Sequence, residues 1–181
     1  MRVLSREEQA RFVSYLLEDM DTCKFGVLLA LFTGVRIGEL CALQWGKISL
    51  KEKTIRIDAT LQRLRDTSAV GSARTRIVIS TPKSDTSVRT IPVTDYTAEL
   101  CGKMAPHSSA AYVLTGTDSF MEPRALQYRM EKYTRKCGLE GVHFHTLRHT
   151  FATRAVEVGF EIKSLSEVLG HSPACGQAAS G

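Results

Sequence analysis

The stretch His145-Thr146-Leu147-Arg148-His149-Thr150-Phe151-Ala152-Thr153, followed after an interval by Leu169-Gly170-His171, decides the reading of this chain. Read as a helix, it places His145 and Arg148 one turn apart on one face, while Leu147, Phe151, Ala155 and Val158 form an apolar stripe on the other. One side packs against a core, and the other offers a guanidinium and an imidazole to a ligand. Arginine and histidine held together at the edge of a core suit phosphate chemistry, because a planar guanidinium can donate parallel hydrogen bonds to an oxyanion. Downstream, Ile162, Leu165, Val168 and Leu169 read as the inward face of a short helix. Gly170 stops that helix and Pro173 prevents its resumption, so His171 is aimed by the turn.

Working outward to the other end of the chain, Ser5-Arg6-Glu7-Glu8 forms a capping box that opens a helix with Phe12, Leu16 and Leu17 on one side, ending near Asp19 to Asp21. Residues Phe25 to Phe32 are apolar on all sides, as in a helix buried among others. Gly34 breaks it, and Arg36-Ile37-Gly38-Glu39-Leu40 starts a new short helix. A cation directly after a buried segment is badly placed for solvation, and Glu39, one turn on, is its natural orienting partner. Taken alone, such a pair reads as a structural ion pair.

Between these ends, Ile48, Leu50, Ile55 and Ile57 flank Lys51-Glu52-Lys53 as a hairpin. Residues Leu61 to Ala73 are polar, basic and glycine-containing, and read as a loop or frayed extension. Arg74 to Thr81 and Val88 to Val93 read as two more strands joined by a turn that carries Lys83. Asp95 to Met104 is a helix, and Pro123 opens another whose Leu126, Met130, Tyr133 and Cys137 fall at helical spacing. Its other positions include Arg124, Arg129, Lys132, Arg135 and Lys136, which fit either a solvated face or a phosphate-backbone contact. The fold class expected is α+β: mostly α-helical with a small three-stranded antiparallel sheet.

The 181 residues suffice for one domain with a real core. Twenty-four Lys and Arg against nineteen Asp and Glu leave a charge of +5, which permits a polyanionic partner without requiring one. Cys23, Cys41, Cys101, Cys137 and Cys175 are odd in number and never form a C-x-x-C pair, so they read as reduced thiols filling core positions in a cytoplasmic protein. The longest apolar run, Val27 to Phe32, is too short to span a bilayer, and no membrane partner is expected.

Thr33-Gly34-Val35-Arg36-Ile37-Gly38-Glu39, Lys83 in a strand turn, His145-Thr146-Leu147-Arg148-His149 and Leu169-Gly170-His171 together resemble the catalytic domain of the tyrosine recombinases, the phage-type integrase family. Four separated motifs in the family order cover residues 1–173. The resemblance implies the DNA breaking-rejoining catalytic-domain fold and strand transfer on double-stranded DNA through a 3′-phosphotyrosine link, with no metal or other cofactor. It also implies roles for particular residues: Arg36 and Arg148 hold the non-bridging oxygens of the scissile phosphate, and Lys83 protonates the departing 5′-oxygen. His145 acts in proton transfer or hydrogen bonding to the phosphate, His171 donates to a phosphate oxygen, and Glu39 and His149 support the site. Arg63, Arg65, Arg74 and Arg76, with the five cations between Arg124 and Lys136, would contact the DNA backbone.

The chain departs from that family in one respect. The nucleophilic tyrosine belongs about nine residues after His171, where Ser180 stands, and no tyrosine follows Tyr133. Residues 174–181 also lack the apolar pattern of the helix that would carry it. A shortened chain, a natural truncation or frameshift, and a protein that binds DNA without cutting it all fit, and the change of composition after Pro173 points to truncation. The expectation is a chain that binds DNA, does not cleave it, and stays monomeric in solution, whereas its parent would assemble as an oligomer on DNA. Two rivals are a non-catalytic DNA-binding or regulatory module on the same fold and, more remotely, a metal-dependent hydrolase using His143, His145 and His149.

Overall fold

The computed structural model describes residues 2–65, 75–80 and 88–170. Helix α1 (Arg6–Leu17) begins at the capping box: the Glu8 amide donates to Ser5 Oγ at 3.1 Å and the Ser5 amide donates to Glu8 Oε2 at 2.8 Å. Helix α2 (Thr22–Thr33) is capped by Asp21, whose Oδ1 accepts from the Lys24 amide. Ten of its twelve residues are buried, which is why its sequence shows no polar face. Around it pack α1, α3 (Ile37–Ala42), α4 (Asp95–Met104), α5 (Pro123–Lys136) and α6 (Phe144–Glu157), so α2 is the axle of the domain. Phe25 of α2 stacks on Trp45 with ring centroids 5.7 Å apart. Each such side chain removed from water contributes about 1.5–3 kcal/mol.

Helix α2 ends at Gly34, whose φ of 68° lies in the left-handed region. A Cβ there would also meet Phe151 of α6 and Leu169 at under 3 Å, so glycine is demanded by backbone and packing together. The tight turn brings the end of α2, the start of α3 and the end of α7 (Ile162–Leu169) to one point. Gly38 serves a second close approach, since a Cβ on it would lie 2.6 Å from the Leu61 carbonyl oxygen.

The strands are β1 (Ile48–Ser49), β2 (Thr54–Ile57), β3 (Thr60–Arg65), β4 (Thr75–Ser80) and β5 (Arg89–Pro92). The expected three-stranded antiparallel sheet is present in the order β1-β2-β5. Its third strand is β5, which runs along β2 with Ile55 opposite Ile91. The expected placement of the preceding strand needs correction: β4 leaves that sheet and pairs with β3 as a separate ribbon, Leu61 opposite Ile79 and Arg63 opposite Ile77. Residues 61–65, expected as loop, are therefore strand. Leu61 is buried and anchors the ribbon against α3, a signal hidden by the basic residues around it.

Two further corrections concern apolar residues. Val158, assigned to the stripe of α6, caps that helix and is 78% exposed, and Ile162 at the start of α7 is 73% exposed. Helical periodicity held only as far as each helix lay against a neighbour: Leu147, Ala155, Leu165 and Leu169 are buried. Cys23, Cys41, Cys101 and Cys137 are buried free thiols, with burial pushing the Cys41 thiol up to about 12 and Cys101 to about 11. Cys175 lies outside the described residues. No helix among the described residues is long and apolar enough to cross a membrane.

Candidate functional site

The side of α6 that faces the core carries an arginine. Arg148 is only 5% exposed, and its guanidinium survives burial because carbonyls meet it: Nη1 donates to Gly34 O at 2.7 Å and Nη2 to Leu169 O at 2.6 Å. Both acceptors lie at helix C-termini, where the partial negative charge of the helix dipole favours a cation. Burial, and then the neighbouring Arg36, pull the Arg148 pKa down to about 10, so the group remains charged at neutral pH. Arg36 stands at the N-cap of α3, about two-fifths exposed. Its Nη1 donates to Glu39 Oε1 at 3.0 Å, and its Nη2 donates to Gly170 O at 3.2 Å.

Glu39 is 6% exposed and accepts four hydrogen bonds, two from Arg36 and two from Arg89. Burial pushes its carboxyl up, but the hydrogen bonds and charge of Arg89, with those of Arg36, outweigh burial and hold it below its ordinary value. The orienting role expected for Glu39 thus has a geometry, and a second arginine shares it. Arg89, at the start of β5 and 8% exposed, was missed from the sequence. The available signal was strand alternation, which puts Arg89 on the same inward face as Ile91.

Two guanidinium groups therefore meet on one carboxylate, and that of Arg148 lies near enough to feel its charge. Among the described residues each of Arg36 and Arg148 uses two of its five side-chain N–H groups, so both keep donors for an incoming anion. Among the described residues three cations against one carboxylate leave the cluster net positive, and the donors left on Arg36 and Arg148 suit an anion with several acceptor oxygens.

The other expected members are placed differently. His145 is exposed and meets His149 edge-on, ring centroids 5.7 Å apart. Partial burial, then the nearby His145 and Arg148, lower the His149 pKa, so its neutral form is favoured. Among the described residues, no group of three or more His, Cys, Asp or Glu is placed to hold a metal, so His143, His145 and His149 do not assemble as a ligand set. Lys83, His171, Ser180 and Arg74 lie outside the described residues, as does the side chain of Arg65.

Of the outer cations, Arg76, Arg124, Arg129, Lys132, Arg135 and Lys136 are exposed. Arg63 pairs with Glu122 at 2.8 Å, and Lys132 lies over the Tyr128 ring. The apolar stripe of α5 is buried as expected, through Leu126, Met130, Tyr133 and Cys137. A cleft of about 570 Å³ runs between α3, β3 and the start of α5, bordered by Gly38, Arg63, Arg124 and Gln127.

Fold and cluster together define a mostly helical domain in which three arginines gather around the ends of α2 and α7 and the start of α3. A family model for the phage integrase family matches residues 2–174, and the chain belongs to that family. A tyrosine recombinase of Pseudothermotoga lettingae is 32% identical over 152 residues, covering 80% of this chain and 43% of the relative. Tyrosine recombinase XerA of Thermococcus kodakarensis is 29% identical over 177 residues, covering 94% of this chain and 54% of the relative. The chain thus spans about half the length of these relatives. Among solved structures, the Tn1549 transposon integrase in complex with a circular intermediate DNA superposes with a TM-score of 0.73 at 23% identity, covering 94% of this chain and 58% of that one. XerA recombinase superposes with a TM-score of 0.68 at 22% identity, over 95% of this chain and 57% of that one. These likenesses establish the fold as that of tyrosine recombinase catalytic domains.

Proposed function

We propose that this chain is the phosphate-binding body of a DNA strand-transferase, and that its arginine cluster receives the scissile phosphodiester of double-stranded DNA. The observation that carries the reading is the convergence of Arg36 and Arg148, both with donors unused among the described residues, at the junction of α2, α3 and α7. Transesterification at phosphorus passes through a five-coordinate state with more negative charge on the non-bridging oxygens. Fixed guanidinium donors strengthen there, and losing one donor of this kind typically costs about 2.7–4 kcal/mol of barrier. Expelling a 5′-alkoxide near neutral pH requires a general acid, which is the role assigned to Lys83. His145, exposed in the first turn of α6, and His171 are assigned hydrogen bonds or proton transfer at the phosphate, and His149 supports His145 from the next turn.

No tyrosine occurs after Tyr133, and Tyr15 and Tyr133 lie packed against each other. In this reading the 181 residues bind duplex DNA without forming a covalent link and stay monomeric in solution, while the parent protein assembles as an oligomer on DNA. The exposed cations of α5, together with Arg63 and Arg76, contact the DNA backbone and make affinity fall with salt. Two assays test the reading. Mobility shift on a duplex should show binding that weakens as salt rises, with a smaller salt slope for a variant neutralised at Arg124, Arg135 and Lys136; an unchanged slope would remove the α5 contacts. Incubation with a nicked suicide duplex should leave no band that survives denaturation, and a resistant band would refute the assignment of an absent nucleophile.

A further inference from the structure

Arg36 and Arg89 share the Glu39 carboxylate, and each of the three arginines grips one of three consecutive carbonyls at the end of α7. Arg89 Nε donates to Val168 O at 2.6 Å, Arg148 Nη2 to Leu169 O at 2.6 Å, and Arg36 Nη2 to Gly170 O at 3.2 Å. Arg89 differs from the other two. Its Nε takes Val168 while its Nη1 and Nη2 take both oxygens of Glu39, at 2.9 and 2.8 Å, so all three nitrogens face protein acceptors. It lies against Gly170, where a Cβ would come within 3.0 Å of Arg89 Nη1. The Arg89 and Glu39 side chains are 6% and 7% exposed, so their bidentate pair works in a low-dielectric interior.

We infer that Arg89 is a positioning residue of the phosphate site: it occupies both oxygens of Glu39 and ties the end of α7 to β5, so that Arg36 and Arg148 stay open to an anion. The inference rests on the proposed phosphate-binding role of those two arginines. The physical reason is competition. A buried carboxylate released from Arg89 would turn its free oxygen on Arg36, which it already touches, and an incoming phosphate would have to displace it. A released α7 end would at the same time loosen the Leu169 and Gly170 carbonyls that set the angles of the other two guanidinium planes. Arg89 thereby answers the sole carboxylate that the cluster's ion pairs share among the described residues.

The experiment is a titration of the chain with inorganic phosphate at constant ionic strength, following the arginine Nε–H cross-peaks by NMR. In the wild type, Arg36 and Arg148 should shift along one binding curve while Arg89 stays still. In Arg89→Met and in Arg89→Lys, thermal unfolding first establishes that the variant is folded, and the phosphate midpoint should then rise by about tenfold. The lysine variant keeps the local charge but cannot span both Glu39 oxygens and the Val168 carbonyl, so it separates geometry from charge. Wild-type affinity in the folded lysine variant would overturn the positioning role, as would an Arg89 cross-peak that moves with the other two in the wild type, a readout that needs no variant. No response at Arg36 and Arg148 in the wild type would instead overturn the phosphate-site reading itself, and this inference with it.

Discussion

Replacing Glu39 by glutamine tests the cluster at its centre. The carboxylate accepts four hydrogen bonds at 2.8–3.0 Å from Arg36 and Arg89. Glutamine keeps the shape but turns one oxygen into an NH2 group that faces guanidinium donors, and it removes the negative charge between three cations. Arg36 is about two-fifths exposed and can turn to water, whereas Arg89 is held at 6% side-chain exposure with nothing to replace its partner. Breaking a buried pair from one side costs about 3–5 kcal/mol, more than the intact pair contributes, because a charge is left desolvated. For a chain of this size a loss of about 4 kcal/mol lowers the melting temperature by about 8–16 °C. Urea unfolding followed by circular dichroism measures it directly, and an Arg89→Met cycle with Glu39→Gln should give a coupling of about 2 kcal/mol or more. A loss below about 1 kcal/mol, the worth of a surface pair, would refute the claim that these groups act as a buried unit.

Other consequences follow from the same geometry. Because the folded Glu39 carboxyl is held below 4.5, the unfolded chain binds its proton more readily as pH falls; the stability it confers is whole above its unfolded pKa and is lost as pH drops through the folded one. The stability difference between wild type and Glu39→Gln should therefore be level above about pH 5 and shrink below it, and a difference that grows in acid would contradict the assignment. Gly34→Ala should cost about 1–2 kcal/mol for the left-handed backbone alone, and more because its Cβ meets Phe151 and Leu169. The same change should disturb Arg148, whose Nη1 donates to the Gly34 carbonyl, so its Nε–H resonance should move; a stable variant with an unmoved Arg148 signal would count against the described turn.

Much of this was legible in the sequence because it is local. The Ser5–Glu8 cap, the all-apolar α2, the stop at Gly34 and the Pro123 start each depend on residues within a turn of one another. The pairing of Arg36 with Glu39 was legible for the same reason. What escaped reading depended on distant chain segments. Arg89 lies fifty positions from Glu39, and nothing near it in the sequence marks it as buried beyond its phase with Ile91. Leu61 looked like part of a basic loop because pairing with β4, further along the chain, makes residues 60–65 a strand, and contact with α3 buries Leu61. Val158 and Ile162 obeyed helical spacing yet lie exposed, because the spacing names a face without saying that anything covers it. For His145 the sequence named a face shared with Arg148, whereas the structure buries the arginine and exposes the histidine against His149.

Arg36 and Arg148 are the proposed seat of a DNA phosphate. A crystal structure of the chain bound to a short duplex tests this most directly. The predicted result is one backbone phosphate with its non-bridging oxygens about 2.7–2.9 Å from both guanidinium groups, while Arg89 remains on Glu39 and Val168. A duplex bound elsewhere, with Arg36 and Arg148 still satisfied only by Glu39 and the carbonyls of Gly34, Leu169 and Gly170, would contradict it.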